Sequence, residues 1–205
     1  GGVTATESDS NIANNSLALT VAVSGGTVVV VNTNDTGAGS LRQALLDAQS
    51  AVCTSPCFIT FNIPGGPPFV IQPATNLPAL ASNTHIDGTT QPGFGSTPIV
   101  QIDGSLVAAP AALALSGTNS RVTALSITGT TLGIPAISVS GNANTVASNY
   151  IGLTPLGAAA GNAVGVAITG SNNKVGSTIA FDANTIANNT ANGISVTGAG
   201  IGNAI

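Results

Sequence analysis

The sequence predicts an all-β solenoid with one short capping α-helix near its N-terminus. Three observations lead to this prediction: an internal repeat of about 24 to 29 residues, short alternating segments within each repeat, and a single amphipathic helical segment. A repeat of that length suits one coil of a solenoid, because each coil buries its apolar face only against its neighbours.

The repeat is visible in "LSGTNSRV" (Leu115–Val122), "VSGNANTV" (Val139–Val146) and "ITGSNNKV" (Ile168–Val175). A fourth copy begins with "VTG" at Val196. The residues that lead into each copy alternate apolar with small or polar side chains, as half-buried strands do. The aligned glycines of the four copies are Gly117, Gly141, Gly170 and Gly198.

Asparagines form a second repeated element, in "NTVASN" (Asn144–Asn149) and "NTIANN" (Asn184–Asn189). Asparagine side chains stacked in neighbouring coils can hydrogen-bond to one another. We therefore predict that these residues form a structural ladder rather than a binding motif.

The capping helix is predicted over residues 40–50, in "GSLRQALLDAQS". Ser40 can act as the N-cap, and Gln43 stands three residues later, which is the spacing of a capping box. The segment carries its apolar residues on one face, as an amphipathic helix does. We expect this face to cover the exposed end of the first coil; its residues are Leu41, Ala44, Leu45 and Ala48.

Longer stretches of the chain carry a family resemblance. They are "VVNTNDTGAGSLRQALLDAQ" (Val30–Gln49), "FNIPGGPPFVIQPATNLPAL" (Phe61–Leu80), "HIDGTTQPGFGSTPIVQIDGS" (His85–Ser105) and "NYIGLTPLGAAAGNAVGVAITGSNNKVGST" (Asn149–Thr178). Over residues 28–205 the chain resembles the right-handed parallel β-helix repeat proteins of bacterial cell surfaces, which are secreted and adhesin-like. The resemblance implies a right-handed parallel β-helix with Asp-Gly pairs at its corners.

One domain, preceded by an N-terminal extension, is predicted on this basis. Residues 1–26 are an N-terminal extension that contains a candidate donor strand. Residues 27–205 are the parallel β-helix domain, which includes the capping helix.

Composition excludes two classes of partner. Only 5% of residues are charged, and the three basic residues, Arg42, Arg121 and Lys174, are scattered. Without a basic stripe for phosphates, we expect no nucleic-acid partner. No apolar run reaches the roughly 18 residues of a membrane-spanning helix, so we expect no membrane span. The first residues lack the features of a secretion signal, which fits a mature exported product.

The two cysteines, Cys53 and Cys57, stand in "CTSPC". We predict a disulfide, because two thiols with no further cysteine or histidine nearby make a poor zinc site. A disulfide implies an oxidising compartment, and we therefore expect an extracellular or cell-surface location. We expect no metal and no cofactor.

Asp87, Asp103 and His85 are the candidates for catalysis. The two aspartates are 16 residues apart, which does not match the repeat, and each precedes a glycine as turn residues do. His85 has no acid or nucleophile at a recognisable motif spacing. We therefore predict no catalytic residues and no enzymatic activity.

Asn-x-Ser/Thr sequons occur at Asn14, Asn34 and Asn188. These are candidate glycosylation sites, because attached sugar would hydrate a surface that has few charges.

The N-terminal extension resembles a coil. "SNIANNSLALTVAVSGG" (Ser10–Gly26) echoes "NTIANNTANGISVTGAG" (Asn184–Gly200), and its apolar residues alternate like those of a strand. One interpretation folds this strand back on its own chain through Gly25 and Gly26. The other uses these glycines as a hinge and donates the strand to the next molecule, where it completes an unfinished coil. The residues of this polymerisation strand are Leu17, Leu19, Val21 and Val23.

The predicted function is an extracellular structural subunit of a cell-surface fibre, a homo-polymer that assembles head to tail by strand donation. One alternative is a monomeric surface adhesin or glycan-binding β-helix module that binds surface glycans through the loops near Thr154–Gly165. A second alternative is an enzyme that resembles polysaccharide lyases or hydrolases.

Overall fold

A computed structural model of the chain describes residues 25–131, 133–198 and 200–205. These residues contain one α-helix, α1 (Leu41–Ala48), and short 3-10 turns at Gly88–Thr90 and Ala180–Asp182. The strands are β1 (Gly26–Val30), β2 (Cys57–Phe61), β3 (Phe69–Ile71), β4 (Thr84–Asp87), β5 (Val100–Asp103), β6 (Leu113–Leu115), β7 (Arg121–Thr123), β8 (Leu125–Thr128), β9 (Pro135–Val139), β10 (Thr145–Ala147), β11 (Tyr150–Ile151), β12 (Val164–Ile168), β13 (Lys174–Val175), β14 (Thr185–Ile186) and β15 (Ile194–Val196).

The strands form three sheets, and each pair of neighbouring strands is parallel. Sheet A has the order β1-β2-β4-β7-β10-β13, sheet B has β3-β5-β8-β11-β14, and sheet C has β6-β9-β12-β15. From β4 onward the chain passes through sheets A, B and C in the same order each time. We call each such set of three strands a rung. The predictions of an all-β fold and of one short helix are therefore confirmed.

Aliphatic side chains stack in columns on one face of each sheet. Parallel register places equivalent positions of successive rungs above one another, and alternation sends every second side chain to the same face. In sheet A the column is fully or nearly fully buried and consists of Ile59, Ile86, Val122, Val146 and Val175.

Helix α1 covers the end of sheet A at β1, as predicted. Ser40 is the N-cap, and its hydroxyl accepts a hydrogen bond from the Gln43 backbone N–H at 3.2 Å. The Gln43 side chain donates to Asp47 at 2.8 Å instead of returning to Ser40, so only half of a capping box forms. The helix contacts β1 and β2, and its buried residues are Leu41, Ala44 and Leu45.

Asparagines stack between rungs in three ladders, one beside each sheet. In each ladder, the side-chain oxygen accepts from a backbone N–H of the preceding rung, and the side-chain amide of most members donates to a carbonyl there. Asn149 accepts from Leu125 N–H at 2.9 Å and donates to Val122 C=O at 3.0 Å. The ladders are Asn144–Asn173–Asn203, Asn149–Asn184 and Asn162–Asn189.

The prediction that asparagines form ladders between coils is therefore correct, but the asparagines that pair are not the ones that the sequence alignment matches. The two aligned motifs begin at Asn144 and Asn184, yet Asn144 stacks with Asn173 and Asn184 stacks with Asn149. The difference arises because the connections between strands vary in length from rung to rung.

The glycines also form a column, in which backbones touch. A Cβ atom on Gly141 would lie 1.8 Å from the Gly117 carbonyl oxygen, and one on Gly170 would lie 1.9 Å from that of Gly141. The fourth member is Gly200, at 2.3 Å from the Gly170 oxygen, whereas Gly198 has open space around it. The predicted fourth glycine is wrong by two residues, because the chain adds two residues after β15 before it returns to the column.

Removing a ladder side chain is expected to destabilise the fold. Asn149→Ala would leave the buried Leu125 N–H and the Val122 carbonyl without their side-chain partners, at a cost of about 2 to 4 kcal/mol. Asn142→Ala is the matched control, because exposed Asn142 accepts one bond, from Ser171 N–H, that water can replace. Guanidinium denaturation followed by circular dichroism measures both. Equal losses for the two variants would contradict the structural role of the ladder.

Candidate functional site

The predicted turn aspartates lie at the ends of strands in different sheets. Asp87 ends β4 in sheet A, and its Oδ1 accepts from the Thr89 backbone N–H at 2.9 Å. Asp103 ends β5 in sheet B, and its Oδ1 accepts from the Ser105 backbone N–H at 3.0 Å. Each carboxylate therefore stabilises a turn, and the two are not brought together as a pair on one strand column.

The glycines after these aspartates, Gly88 and Gly104, do not have positive φ. A Cβ atom on Gly88 would lie 2.2 Å from the Ala124 carbonyl oxygen, and one on Gly104 would lie 2.7 Å from Thr130 Cγ2. The need is for space between neighbouring rungs, not for left-handed backbone.

His85 lies on the outer face of sheet A, between Phe58 of β2 and Arg121 of β7. The imidazole stacks on the Phe58 ring, with 5.2 Å between ring centroids and 20° between planes. Burial lowers the pKa of His85 below its ordinary value, and the positive charge of Arg121 lowers it further. The ring is therefore a neutral, half-buried group at pH 7.

A loop from Gly176 to Asn184 folds over this face of sheet A. Arg121 holds it through an ion pair of 2.7 Å between Nη2 and Asp182 Oδ1. The Ser148 hydroxyl donates to the Phe181 carbonyl, and the Ser177 hydroxyl donates to Asp182 Oδ2 at 2.8 Å. The hydrogen bonds from Arg121 and Ser177 lower the pKa of Asp182, so its carboxylate is charged at neutral pH.

The loop lines two adjoining open cavities, which together we call the Phe181 groove. The cavity on sheet A has a volume of about 360 Å³, and the one on sheet B has about 380 Å³. Phe181 is 87% exposed and lines both. The lining of the groove includes Phe58, His85, Asp87, Arg121 and Thr123 on the sheet A side, and Tyr150 on the sheet B side.

Sequence reasoning missed this groove. Arg121 and Asp182 are 61 residues apart, and no motif connects them. The available signal was composition: in a chain with five Phe and one Tyr, "AFD" at Ala180–Asp182 places an aromatic beside a charge outside any strand pattern.

A second feature is the open end, where the described rungs stop. Within the described residues, β14 pairs only with β11, and β15 pairs only with β12. Ala204 forms a bridge to Lys174 and begins the next position of sheet A. The cavity at this end has a volume of about 500 Å³, and its apolar lining includes Val175, Ile186, Ile194, Ala204 and Ile205.

The predicted disulfide between Cys53 and Cys57 is present, with an S–S distance of 2.03 Å. The predicted hinge glycines lie against this loop. Gly26 is the first residue of β1 and donates to the Thr54 carbonyl at 2.8 Å, while a Cβ atom on Gly25 would lie 2.2 Å from the Pro56 oxygen. Both glycines are therefore in packed positions, and their role as a hinge stays a prediction.

The candidate glycosylation sites differ in their surroundings. Asn34 is exposed, and its side-chain amide has no hydrogen-bond partner in the part of the chain that the structure describes. Asn188 is exposed at φ +59°, and its amide donates to the Gly152 carbonyl at 3.3 Å. Asn14 and the polymerisation strand, Leu17, Leu19, Val21 and Val23, lie outside the described residues. Sugar attachment stays a prediction at all three sequons.

None of the helices in the described ranges has the length and apolarity needed to cross a membrane. In the same ranges, no three side chains among His, Cys, Asp and Glu come together as metal ligands.

No protein-family model matches this chain, and no curated protein matches its sequence.

His85 provides a direct probe of the groove, because it is the only histidine. Since its folded-state pKa lies below the ordinary value of 6.5, the unfolded chain binds the proton more tightly. The stability contributed by neutral His85 is thus present above pH 6.5 and is lost as the pH falls through the folded-state pKa. We expect a proton NMR titration of the imidazole to have its midpoint below 6.5.

Arg121→Gln should raise this midpoint without reaching 6.5, because burial, the larger cause, remains. Arg42→Gln is the matched control, since Arg42 pairs with Asp35 away from His85. A midpoint of 6.5 or above in the unsubstituted protein would contradict the neutral, half-buried imidazole.

Proposed function

We propose that the chain is an extracellular structural subunit of a cell-surface fibre, built on a right-handed parallel β-helix. Subunits join head to tail when residues about Ser10–Ser24 of one molecule add to the open end of the next. The observation that carries the proposal is the difference between the two ends of the described region: α1 covers one, while at the other β14 and β15 each pair with a single described strand beside an apolar cavity.

The right-handed solenoid is supported by the order in which the chain visits its sheets. The sequence A, B, C repeats from β4 to β15, and parallel strands in one sheet are linked by crossovers through the other two. Such crossovers are right-handed in about 98% of known cases.

The open end is a surface that favours strand addition. Exposed parallel edges pair readily with another strand, and natural proteins usually cover them. Ile186 and Ile194 are only partly buried there, and Ile205 is 70% exposed. A second copy that covered this end would remove apolar surface from water and pair the free backbone groups.

The N-terminal extension fits this end in sequence. In the alignment of Ser10–Gly26 with Asn184–Gly200, Ile12 corresponds to Ile186 and Asn15 to Asn189. Asn189 is the last member of its ladder in the described residues, and its backbone N–H has no acceptor among them. Asn15 of the neighbouring molecule would supply that acceptor and continue the ladder.

The part of the donor segment that follows Asn15 must shift its register by one residue relative to β15. In the same alignment Val21 corresponds to Ser195, which lies between the inward positions Ile194 and Val196. A one-residue shift between Asn15 and Val21 directs the apolar side chains of the donor strand into the cavity, because each shift by one residue reverses the faces of a strand.

The extracellular location is supported by the disulfide, since such bonds persist in oxidising compartments. The composition fits a fibre as well: with 5% charged residues, the chain has few groups to keep a monomer hydrated.

Electron microscopy of the intact chain tests the proposal, with two charge variants. Ile205→Asp places a carboxylate at the open end, where it would be buried in the contact, and should prevent fibres. Leu106→Asp is the control, because Leu106 is 57% exposed and does not line the open end. Circular dichroism confirms that each variant folds. Single particles only for the intact chain, or fibres of Ile205→Asp like those of Leu106→Asp, would refute the proposal.

A further inference from the structure

We propose that the Phe181 groove is a binding site for an uncharged polysaccharide made of hexopyranose rings. Phe181 stacks on the apolar face of a sugar ring, the exposed part of the Phe58 ring contacts the sugar chain beside the His85 imidazole, and the polar groups between them bind hydroxyls. The site lies on the outer faces of sheets A and B, so this proposal does not rest on fibre formation.

The groove contains several side chains of the types that are rare in this chain, namely aromatic, histidine and charged side chains. Three of the six residues that are Phe or Tyr line it, namely Phe58, Phe181 and Tyr150. The only histidine and the Arg121–Asp182 ion pair lie in it too. On a surface of mostly small uncharged residues, such a concentration of aromatic and charged side chains is typical of a binding site rather than of a scaffold.

The aromatic rings are exposed where a ligand could reach them. Phe181 is 87% exposed on a 3-10 turn, and Phe58 is 39% exposed. Exposing a Phe ring to this extent costs hydrophobic free energy, which a ligand with a flat apolar face recovers. Sugar rings have such faces, formed by their C–H groups.

Polar groups with free hydrogen-bonding capacity lie between the rings. Asp87 Oδ1 accepts from Thr89, while Oδ2 has no donor in the part of the chain that the structure describes. Arg121 donates from Nε to Thr123 and from Nη2 to Asp182, and Nη1 has no acceptor in the same part. Two adjacent sugar hydroxyls can donate to a carboxylate and accept from a guanidinium, which satisfies both groups.

The charges favour an uncharged ligand. Asp182 neutralises Arg121 through a 2.7 Å ion pair, and Asp87 adds a negative charge that repels phosphate and carboxylate groups. His85 is neutral at pH 7 and adds no cation that could hold an anion.

The shape favours a chain of sugars over a single ring. The two cavities, of about 360 and 380 Å³, adjoin at Phe181 and Ser148 and pass from sheet A to sheet B. Tyr150 supplies a third aromatic ring on the sheet B side. An extended polymer would contact all three rings in succession.

Affinity electrophoresis of the intact chain through gels that contain soluble polysaccharides tests the site. The probes are hydroxyethyl cellulose, a β-1,3-glucan and a mannan, with polygalacturonate as the acidic comparison. We expect at least one neutral polymer to retard the protein, and 0.5 M NaCl, about a threefold rise over physiological ionic strength, to leave the retardation unchanged because no charge pair is needed.

Two variants locate the binding. Phe181→Ala should weaken it by about tenfold or more, because the ligand loses a large apolar contact. Leu156→Ala is the matched control: Leu156 is 83% exposed, lies in the Thr154–Gly165 loop and does not line the groove, so affinity should stay within about twofold. Both side chains are exposed, so both variants should fold.

Three results would overturn the proposal. The first is no retardation by any neutral polymer. The second is retardation by polygalacturonate alone, which would indicate an anion site. The third is a loss of affinity for Leu156→Ala equal to that for Phe181→Ala, which would indicate that the polysaccharide does not bind specifically at the groove but involves the Thr154–Gly165 loop.

Discussion

A chain that starts at Gly25 is expected to remain as single particles under conditions in which the intact chain forms fibres. The truncation removes the proposed donor segment and leaves β1, α1 and the disulfide in place. The open end then has no strand to pair with, and direct stacking of two subunits is obstructed because α1 covers the other end. Negative-stain microscopy of the two chains at equal concentration measures the effect.

Apolar side chains alternate with small or polar ones along the proposed donor strand, and this alternation provides a matched control in the full-length chain. Leu19→Asp with Val21→Asp places charges on its apolar face and should abolish fibres, because these charges would be buried in the cavity of the neighbour. Thr20→Asp with Ala22→Asp places the same charges on the other face and should leave the fibres intact.

The interpretation in which the strand packs on its own chain makes a different prediction. If the extension covered the edge of β1, truncation at Gly25 would lower the free energy of unfolding of the isolated subunit. Under strand donation, the truncated subunit and a diluted intact subunit should unfold at the same guanidinium concentration. Fibres formed by the truncated chain, like those of the intact chain, would refute donation outright.

The architecture of the described region could be predicted from the sequence because it depends on local and periodic signals. The helix is encoded within twelve residues, by Ser40 and by the apolar spacing that follows it. The repeat is encoded by Gly117, Gly141 and Gly170, since each must be a glycine for the backbones of neighbouring rungs to touch. Signals of this kind need no knowledge of which segments meet.

The ladder partners and the groove could not be predicted, because they depend on connection lengths. The connection between β13 and β14 contains the loop that carries Phe181, so that rung falls out of step with the simple repeat. This shift pairs Asn184 with Asn149 and brings Asp182 to Arg121. An alignment that assumes a constant period misses both contacts for the same reason.

The loop from Gly176 to Asn184 also connects the two proposed activities. Phe181 and Asp182 line the groove, whereas Ser177 and Thr178 line the open end. Phe181→Ala changes the groove without changing a residue of the open end, and Ile205→Asp does the reverse. The two variants therefore test sugar binding and fibre formation separately, so that either proposal can be refuted without the other.

The largest loss of stability is expected for Gly141→Ala. The added Cβ would lie 1.8 Å from the Gly117 carbonyl oxygen, and the next nearest atoms, Gly117 C and Ser116 O at 2.7 and 2.8 Å, also belong to the backbone. No side chain can rotate away to relieve this clash. The two rungs must separate, which stretches the hydrogen bonds from Ser140 N–H and Gly141 N–H to the Leu115 carbonyl.

We expect Gly141→Ala to cost about 4 kcal/mol or more, beyond the usual range for overpacking, because strained backbone and weakened hydrogen bonds add to the steric cost. Gly95→Ala is the matched control. A Cβ atom on Gly95 would meet no atom within 4 Å, and Gly95 has no positive φ, so its substitution should change the free energy of unfolding by less than about 0.5 kcal/mol. Guanidinium denaturation of both variants measures the effect. If Gly141→Ala unfolds at the same guanidinium concentration as Gly95→Ala, the rungs are not in backbone contact at this column.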